Sequence, residues 1–330
     1  MCVRHEGRGQ MFRSVVVPLD GSALADRAIP YAALLATPAA RVALVAVVEP
    51  VPNVPVLARG ELDEEEARMR TLLGEDLHAK AVALAAKGFA VTSEVRLGDP
   101  AEQIICRAGV YHADLIALTT HGRMGMSRWL LGSVATRVLQ GASVATLIIR
   151  PDMHRSAEAP PAIASLIVLL DGSALAAEAI PVARELARQL HVPVECVRVV
   201  DDRDKGLFYG PYSQMYAHDL WEKTRAKLCE EADRYLRDIA ERLRATGLAA
   251  SGTVLSGLAA EELTQYLADR PHALAIMTTH GRSGVSRWML GSVAEKLATS
   301  ATVPILVLRS TAVAGNTADH AVQAQAVPIA

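Results

Sequence analysis

The chain has little cysteine, no long apolar run and almost no net charge, and each shortage excludes a class of protein. The spacing of its four cysteines fits no metal site; they are Cys2, Cys106, Cys196 and Cys229. No apolar stretch reaches the ~18–20 residues that a membrane-spanning helix needs. The 34 basic and 36 acidic residues give a formal net charge of −2, which provides no reason to expect binding to nucleic acid or to a membrane.

The cysteines and the N-terminal residues indicate the cellular compartment in which the protein is expected. Cys106 and Cys196 lie in apolar patterns, which are typical of buried thiols. The first residues, MCVRHEGRGQMFR, lack the apolar core of a signal peptide. We therefore expect a cytoplasmic protein with reduced thiols.

Several standard catalytic and nucleotide-binding motifs are also missing. The chain has no G-x-x-x-x-G-K-[ST] loop and no G-x-G-x-x-G after the first predicted strand. No nucleophile elbow and no cysteine–histidine pair stands out. Because no residue can be named as a general base, we do not expect an efficient enzyme.

The chain contains an internal repeat, in which one sequence unit occurs twice. Residues 119–135 and 278–294 are identical at fourteen of seventeen positions, and residues 19–30 and 170–181 at ten of twelve. A length of 330 residues suits two domains that each bury a core. We predict domains at 1–151 and 163–310, a linker at 152–162 and a C-terminal tail at 311–330.

Each copy alternates short β-branched runs with helical patterns. In the first copy the strands are expected at 14–19, 41–48, 89–97, 114–118 and 144–149, with one helix from Ser22 to about Ala36 after the first strand. The second copy repeats this order. Such alternation predicts an α/β fold, in which each half is an open five-stranded parallel sheet with helices on both faces.

A Gly-rich loop precedes a helix in both copies. In each loop two glycines bracket nine residues; they are Gly122 and Gly132, then Gly281 and Gly291. Glycine lets the backbone approach a ligand closely, and the first N–H groups of the helix form an anion site. Ser133 and Ser292 can add a hydroxyl donor or can cap the helix, since Ser292 and Glu295 fit a capping box.

Two further pairs of polar residues flank the predicted site. Asp20 and Asp171 directly follow the first strand of their copies, where a carboxylate can accept hydrogen bonds from a ribose or start the next helix. His121 and His280 can donate to an anion. Neither histidine has a companion at metal-ligand spacing, so we expect no metal site made of protein ligands.

Both halves resemble the tandem form of the universal stress protein family, over about residues 14–150 and 165–309. The family signature is G-x-x-G, nine residues, then G-[ST], and it occurs twice here. Threonine replaces the first glycine of the signature at Thr119 and Thr278. For the first half the resemblance implies a nucleotide site at Pro18, Asp20, Val47, Leu118, Thr119, His121, Gly122, Gly132, Ser133 and Val134. For the second half it implies a site at Asp171, Val199, Met277, Thr278, His280, Gly281, Gly291, Ser292 and Val293.

The resemblance also implies function and assembly. It suggests a stress regulator that binds ATP, with Mg²⁺ held through the phosphates. It also suggests that the two halves pair through their fifth strands, and that two such chains form a homodimer. Two alternatives stay open: a slow ATPase or nucleotidyl or phosphoryl transferase, and an interaction module without nucleotide. The two threonines are the main argument for the last alternative.

Overall fold

The computed structural model describes residues 11–50, 59–120, 131–150, 162–201, 214–279 and 291–310. The strands are β1 Phe12–Leu19, β2 Ala36–Val48, β3 Ala90–Leu97, β4 Leu115–Thr119, β5 Ala145–Ile149, β6 Ser165–Leu169, β7 Val194–Asp201, β8 Ala250–Gly257, β9 Ala273–Thr279 and β10 Ile305–Arg309. The helices are α1 Ala23–Asp26, α2 Ala28–Leu35, α3 Arg59–Ala85, α4 Pro100–Val110, α5 Ser133–Gly141, α6 Ala174–Ala177, α7 Ala179–Leu190, α8 Gln214–Arg244, α9 Ala259–Ala268 and α10 Ser292–Ser300.

The strands form one sheet of ten in the order β3-β2-β1-β4-β5-β10-β9-β6-β7-β8. Every pairing within a half is parallel, whereas β5 and β10 pair antiparallel at the centre. Leu147 stands opposite Leu306, and these two leucines hold the same position in their repeats. The α/β fold with two pseudo-symmetrically paired five-stranded halves is therefore confirmed.

The core lies on both faces of this sheet. In β1 the side chains of Val15, Val16 and Val17 are all fully buried, as expected for a strand covered by helices on both sides. On one face a single apolar cluster runs across both halves and includes Leu147 and Leu306. The halves thus share a core as well as a strand pairing.

Proline divides the helix that follows the first strand of each half. The sequence predicted one helix from Ser22 to about Ala36, but α1 ends at Asp26 and α2 begins at Ala28. Pro30 offers no N–H, and its ring clashes with the carbonyl four residues earlier, which belongs to Asp26. Pro181 ends α6 at Ala177 in the same way.

The two cysteines that were predicted to be buried differ in their solvent exposure. Cys196 of β7 is buried, and burial raises the pKa of its thiol to about 12. Cys106 of α4 is exposed, so that prediction was wrong. The helix buries Ile104 and Ala108, and a residue midway between these two points away from the sheet.

A glutamine of α7 ties the two halves together next to the shared core. The Gln189 side-chain amide lies within hydrogen-bond distance of the carbonyl oxygens of Leu34, Leu35 and Ala36, at 3.1, 3.2 and 3.2 Å. These carbonyls belong to the end of α2, where a helix leaves its last acceptors without partners of its own.

We predict that Gln189→Ala lowers the free energy of unfolding by about 1–2 kcal/mol, because carbonyls at the junction of the halves lose their donor. Urea unfolding of the full chain measures this change. Gln265→Ala on α9 is the control, since Gln265 is exposed and bonds only weakly to Asp269, at 3.4 Å. Equal losses in the two variants would contradict this role.

Candidate functional site

The candidate site of each half lies where the winding of the sheet reverses. The chain passes from β1 outward to β2 and β3, then returns to place β4 on the other side of β1. The second half does the same around β6. In open parallel sheets, ligands bind beyond the carboxyl ends of the strands at this point.

A glycine, and not the serine, caps the helix at each site. Gly132 and Gly291 are the N-caps of α5 and α10, with nearly identical extended dihedrals of φ −57, ψ 148 and φ −58, ψ 147. Ser133 and Ser292 are the first helical residues, and both are exposed. The capping alternative for these serines was therefore wrong. Each serine instead belongs to the first turn of its helix, whose N–H groups have no acceptor within the helix.

The two capping glycines differ in their surroundings. The Gly132 N–H donates to the carbonyl of Thr120 at 2.9 Å, and a Cβ on Gly132 would lie 2.7 Å from that oxygen. A Cβ on Gly291 would meet no atom of the described residues within 4 Å. Packing within the described part of the chain therefore requires glycine at 132 but not at 291.

The aspartates after the first strands shape tight turns. Asp20 Oδ1 accepts from the Ser22 N–H at 2.9 Å and from the Ser22 hydroxyl at 2.6 Å, and Asp171 Oδ1 accepts from the Ser173 N–H at 2.8 Å. The following helices are capped by these serines, so the aspartates are not N-caps. Each carboxylate is thus held by its own turn at the carboxyl end of a central strand.

The predicted apolar site residues are brought together in each half. Val47, Leu118 and Val134 belong to one apolar cluster, and Val199, Met277 and Val293 belong to another. Pro18 is half-buried near the end of β1. In each half these residues, here called the apolar wall, lie near the carboxyl ends of the strands or in the first turn of the capped helix.

The remaining predicted residues lie at the entry to the loops. Thr119 ends β4 and pairs with Ile149, whereas Thr278 is next to last in β9 and pairs with Leu308. Both threonines are half-buried. His121, Gly122, His280 and Gly281 lie outside the described residues.

An ion pair that the sequence did not reveal joins α4 to α5, the helix capped by Gly132. Asp99 caps α4, where its Oδ1 accepts from the Glu102 N–H at 2.9 Å, and its other oxygen bonds to the Arg137 guanidinium of α5. That guanidinium holds the pKa of Asp99 below its ordinary value. In the second repeat Leu258 and Lys296 hold the positions of Asp99 and Arg137.

We predict that Asp99→Asn lowers stability at pH 7 by a small amount, less than Gln189→Ala does, because asparagine keeps the cap but loses the charge. The lowered pKa means that the ionised carboxylate stabilises the fold above its ordinary pKa of about 3.9, and that this is lost as the pH falls below it. The difference in urea midpoints should therefore shrink as the pH falls from 7 through the lowered pKa of Asp99 in the folded state. A difference that stays constant over this range would exclude the ion pair as its cause.

Two kinds of feature are absent from the described residues. No helix among them is long and apolar enough to cross a membrane. The same residues contain no group of three or more histidine, cysteine or acidic side chains placed to hold a metal ion.

Comparison with known proteins places this geometry in a family. The model of the universal stress protein family matches residues 11–150 and again 164–309. A universal stress protein of Mycolicibacterium smegmatis is 28% identical over 308 residues, covering 89% of this chain and 96% of the relative. The universal stress protein Mb2028c of Mycobacterium bovis is 28% identical over 255 residues, covering 76% and 79%. The crystal structure of a universal stress protein from Archaeoglobus fulgidus superposes with a TM-score of 0.61 at 19% identity, covering 90% of this chain and 98% of the other.

Proposed function

Because the chain belongs to the universal stress protein family, we propose that it binds ATP at the carboxyl edge of the sheet in both halves and acts as a nucleotide-responsive stress regulator. The resemblance of the Gly-rich loops to those of ATP-binding members is the starting point of this proposal. The geometry of the described residues supplies its physical basis.

The observation that carries the proposal lies at the N-terminus of α10. Gly291 leaves space that no described atom fills, and the exposed Ser292 follows it. A helix of nine residues directs its first N–H groups and the positive end of its dipole toward that space. This combination suits a phosphate group.

The other end of each site suits a nucleoside. Asp171 or Asp20 would accept hydrogen bonds from ribose hydroxyls, while the apolar wall, with Val199 or Val47, would contact the base. Mg²⁺, if bound, would be held through the phosphates, because the described residues offer no cluster of carboxylates for it. The site residues therefore fit ATP at its base, its sugar and its phosphates.

The proposed role is regulation and not turnover. The described residues at the site provide an aspartate turn, a hydroxyl and helix N–H groups, which position a nucleotide but do not identify a base for an attacking water. We therefore expect any hydrolysis to fall below the ~1–100 s⁻¹ range of kinases.

We further propose the assembly of this regulator. It would consist of the units 1–151 and 163–310, joined by the linker 152–162, with two chains forming a homodimer. The cytoplasm remains the compartment that the sequence predicts.

Isothermal titration calorimetry of the full chain with ATP and Mg²⁺ tests the proposal. The expected result is saturable binding of two ATP per chain, with little ADP formed over the course of the titration. Absence of binding at millimolar ATP would favour the interaction module without nucleotide. Metal-dependent turnover within the range of kinases would favour the enzyme alternative.

A further inference from the structure

The surroundings of the two site aspartates differ in charge. In the first half Lys80 of α3 pairs with Asp76 and lies 3.0 Å from the Asp26 carboxylate. Burial raises the pKa of Asp26, and the nearby carboxylates of Asp76 and Asp20 act in the same direction. Among the described residues, the short helix that follows the Asp20 turn therefore ends in an acidic group, which Lys80 partly neutralises.

The second half replaces this acidic group. Ala177 holds the position of Asp26 in the repeat, and counting back from the ends of α3 and α8 places Tyr235 at the position of Asp76. On the strand beside the turn, Ala46 stands opposite Leu19 in the first half. In the second half the paired register ends at Leu169 and Val197, and one further step along both strands puts Arg198 opposite Leu170. At these described positions, the second half thus has an arginine where the first half has Ala46, and it lacks the carboxylates of Asp26 and Asp76.

Arg198 lies directly against the aspartate turn. A Cβ placed on Gly172 would be 2.8 Å from the Arg198 Cζ and 2.9 Å from both of its terminal nitrogens. The Cζ atom is also 5.5 Å from the centre of the Tyr235 ring. The guanidinium therefore packs near this ring and touches the residue that follows Asp171.

We propose that the second site takes an adenine nucleotide whose ribose carries a phosphate, and that Arg198 is the residue that binds this phosphate. The inference rests on the proposed function, because it needs the ribose to lie at Asp171. A planar guanidinium offers paired N–H donors that match phosphate oxygens. In other dinucleotide sites a carboxylate selects a free ribose hydroxyl, whereas a nearby arginine accommodates a ribose phosphate.

The first site should reject the same ligand. A phosphate on the ribose would approach Asp20 and the end of α1 at Asp26, with Ala46 in place of the arginine. The carboxylate of the turn repels a phosphate at either site, and only the second site has an arginine beside the turn to offset this repulsion. Selectivity for the ribose phosphate is therefore expected at one site per chain.

Calorimetry with three small probes tests the proposal on the full chain: AMP, adenosine 2′,5′-bisphosphate and adenosine 3′,5′-bisphosphate. One bisphosphate should bind at one site per chain about tenfold or more tightly than AMP, since a charge-assisted hydrogen bond is worth at least that factor. Arg198→Ala should reduce this ratio to about one and change AMP binding by less than about threefold.

The control is Arg237→Ala on the same helix as Tyr235, because Arg237 is exposed and pairs with Asp233. This variant should keep the full preference. A wild-type chain that binds two ATP but prefers neither bisphosphate over AMP, or a preference that survives in Arg198→Ala, would overturn the inference alone. A chain that binds neither ATP nor any probe would overturn the proposed function with it.

Discussion

Replacing Gly291 with valine is expected to abolish ATP binding in the second half while leaving the fold intact. A branched side chain at the N-cap of α10 would occupy the space assigned to the phosphates, and no described atom lies within 4 Å of the added Cβ. The dihedrals of Gly291 are extended, so valine can adopt them without strain. Calorimetry should give one ATP per chain instead of two, with the melting temperature changed by no more than about 2 °C.

Gly132→Val is the comparison that separates ligand binding from packing. Its Cβ would lie 2.7 Å from the Thr120 carbonyl oxygen, so this variant should lose about 1–3 kcal/mol of stability as well as its site. A folded Gly291→Val chain that still binds two ATP would show that the N-terminus of α10 does not hold phosphate.

Each half expressed alone is expected to form a homodimer through its fifth strand. In the full chain Leu147 and Leu306 are both fully buried at the centre of the sheet. A separated half would expose this apolar strand as an open edge, which pairs readily with another chain. Because the two strands already meet in a pseudo-symmetric antiparallel pair, each can offer the same surface to its own copy.

Light scattering measures the oligomeric state of each isolated half, residues 1–151 and residues 163–310. Leu147→Lys in the first half is the matched variant, since a charge at the centre of the pairing would be buried without a partner. This variant should remain monomeric, with circular dichroism used to confirm that it is folded. Stable wild-type monomers at high micromolar concentration would contradict the strand-pairing account.

The sequence predicts most of the fold because the repeat and the apolar runs each carry a simple periodic signal. The five strands of each half follow from local pattern, and the pairing of the fifth strands was expected from the family resemblance. The break between α1 and α2 was missed because Pro30 occurs inside an otherwise helical pattern. Strand β2 begins at Ala36, five residues before its β-branched run, because it extends alongside Phe12.

The site is predictable only where one segment supplies its residues. The aspartate turns and the capped helices are local, and their sequence positions were identified, although the cap proved to be glycine and not serine. Contacts between separate elements were not predictable. Arg137 reaches Asp99 on another helix, and Arg198 reaches Gly172 from a neighbouring strand. The spacing of residues along the sequence does not predict contacts between separate elements.

Native mass spectrometry of the intact chain tests the central claim, that each half holds one nucleotide, most directly. Spectra would be recorded for the purified protein as isolated and after addition of ATP and Mg²⁺. The account predicts a species that carries two ATP per chain, and a single ATP in Gly291→Val. A chain that carries no nucleotide at saturating ATP, or that retains two in the variant, would contradict it.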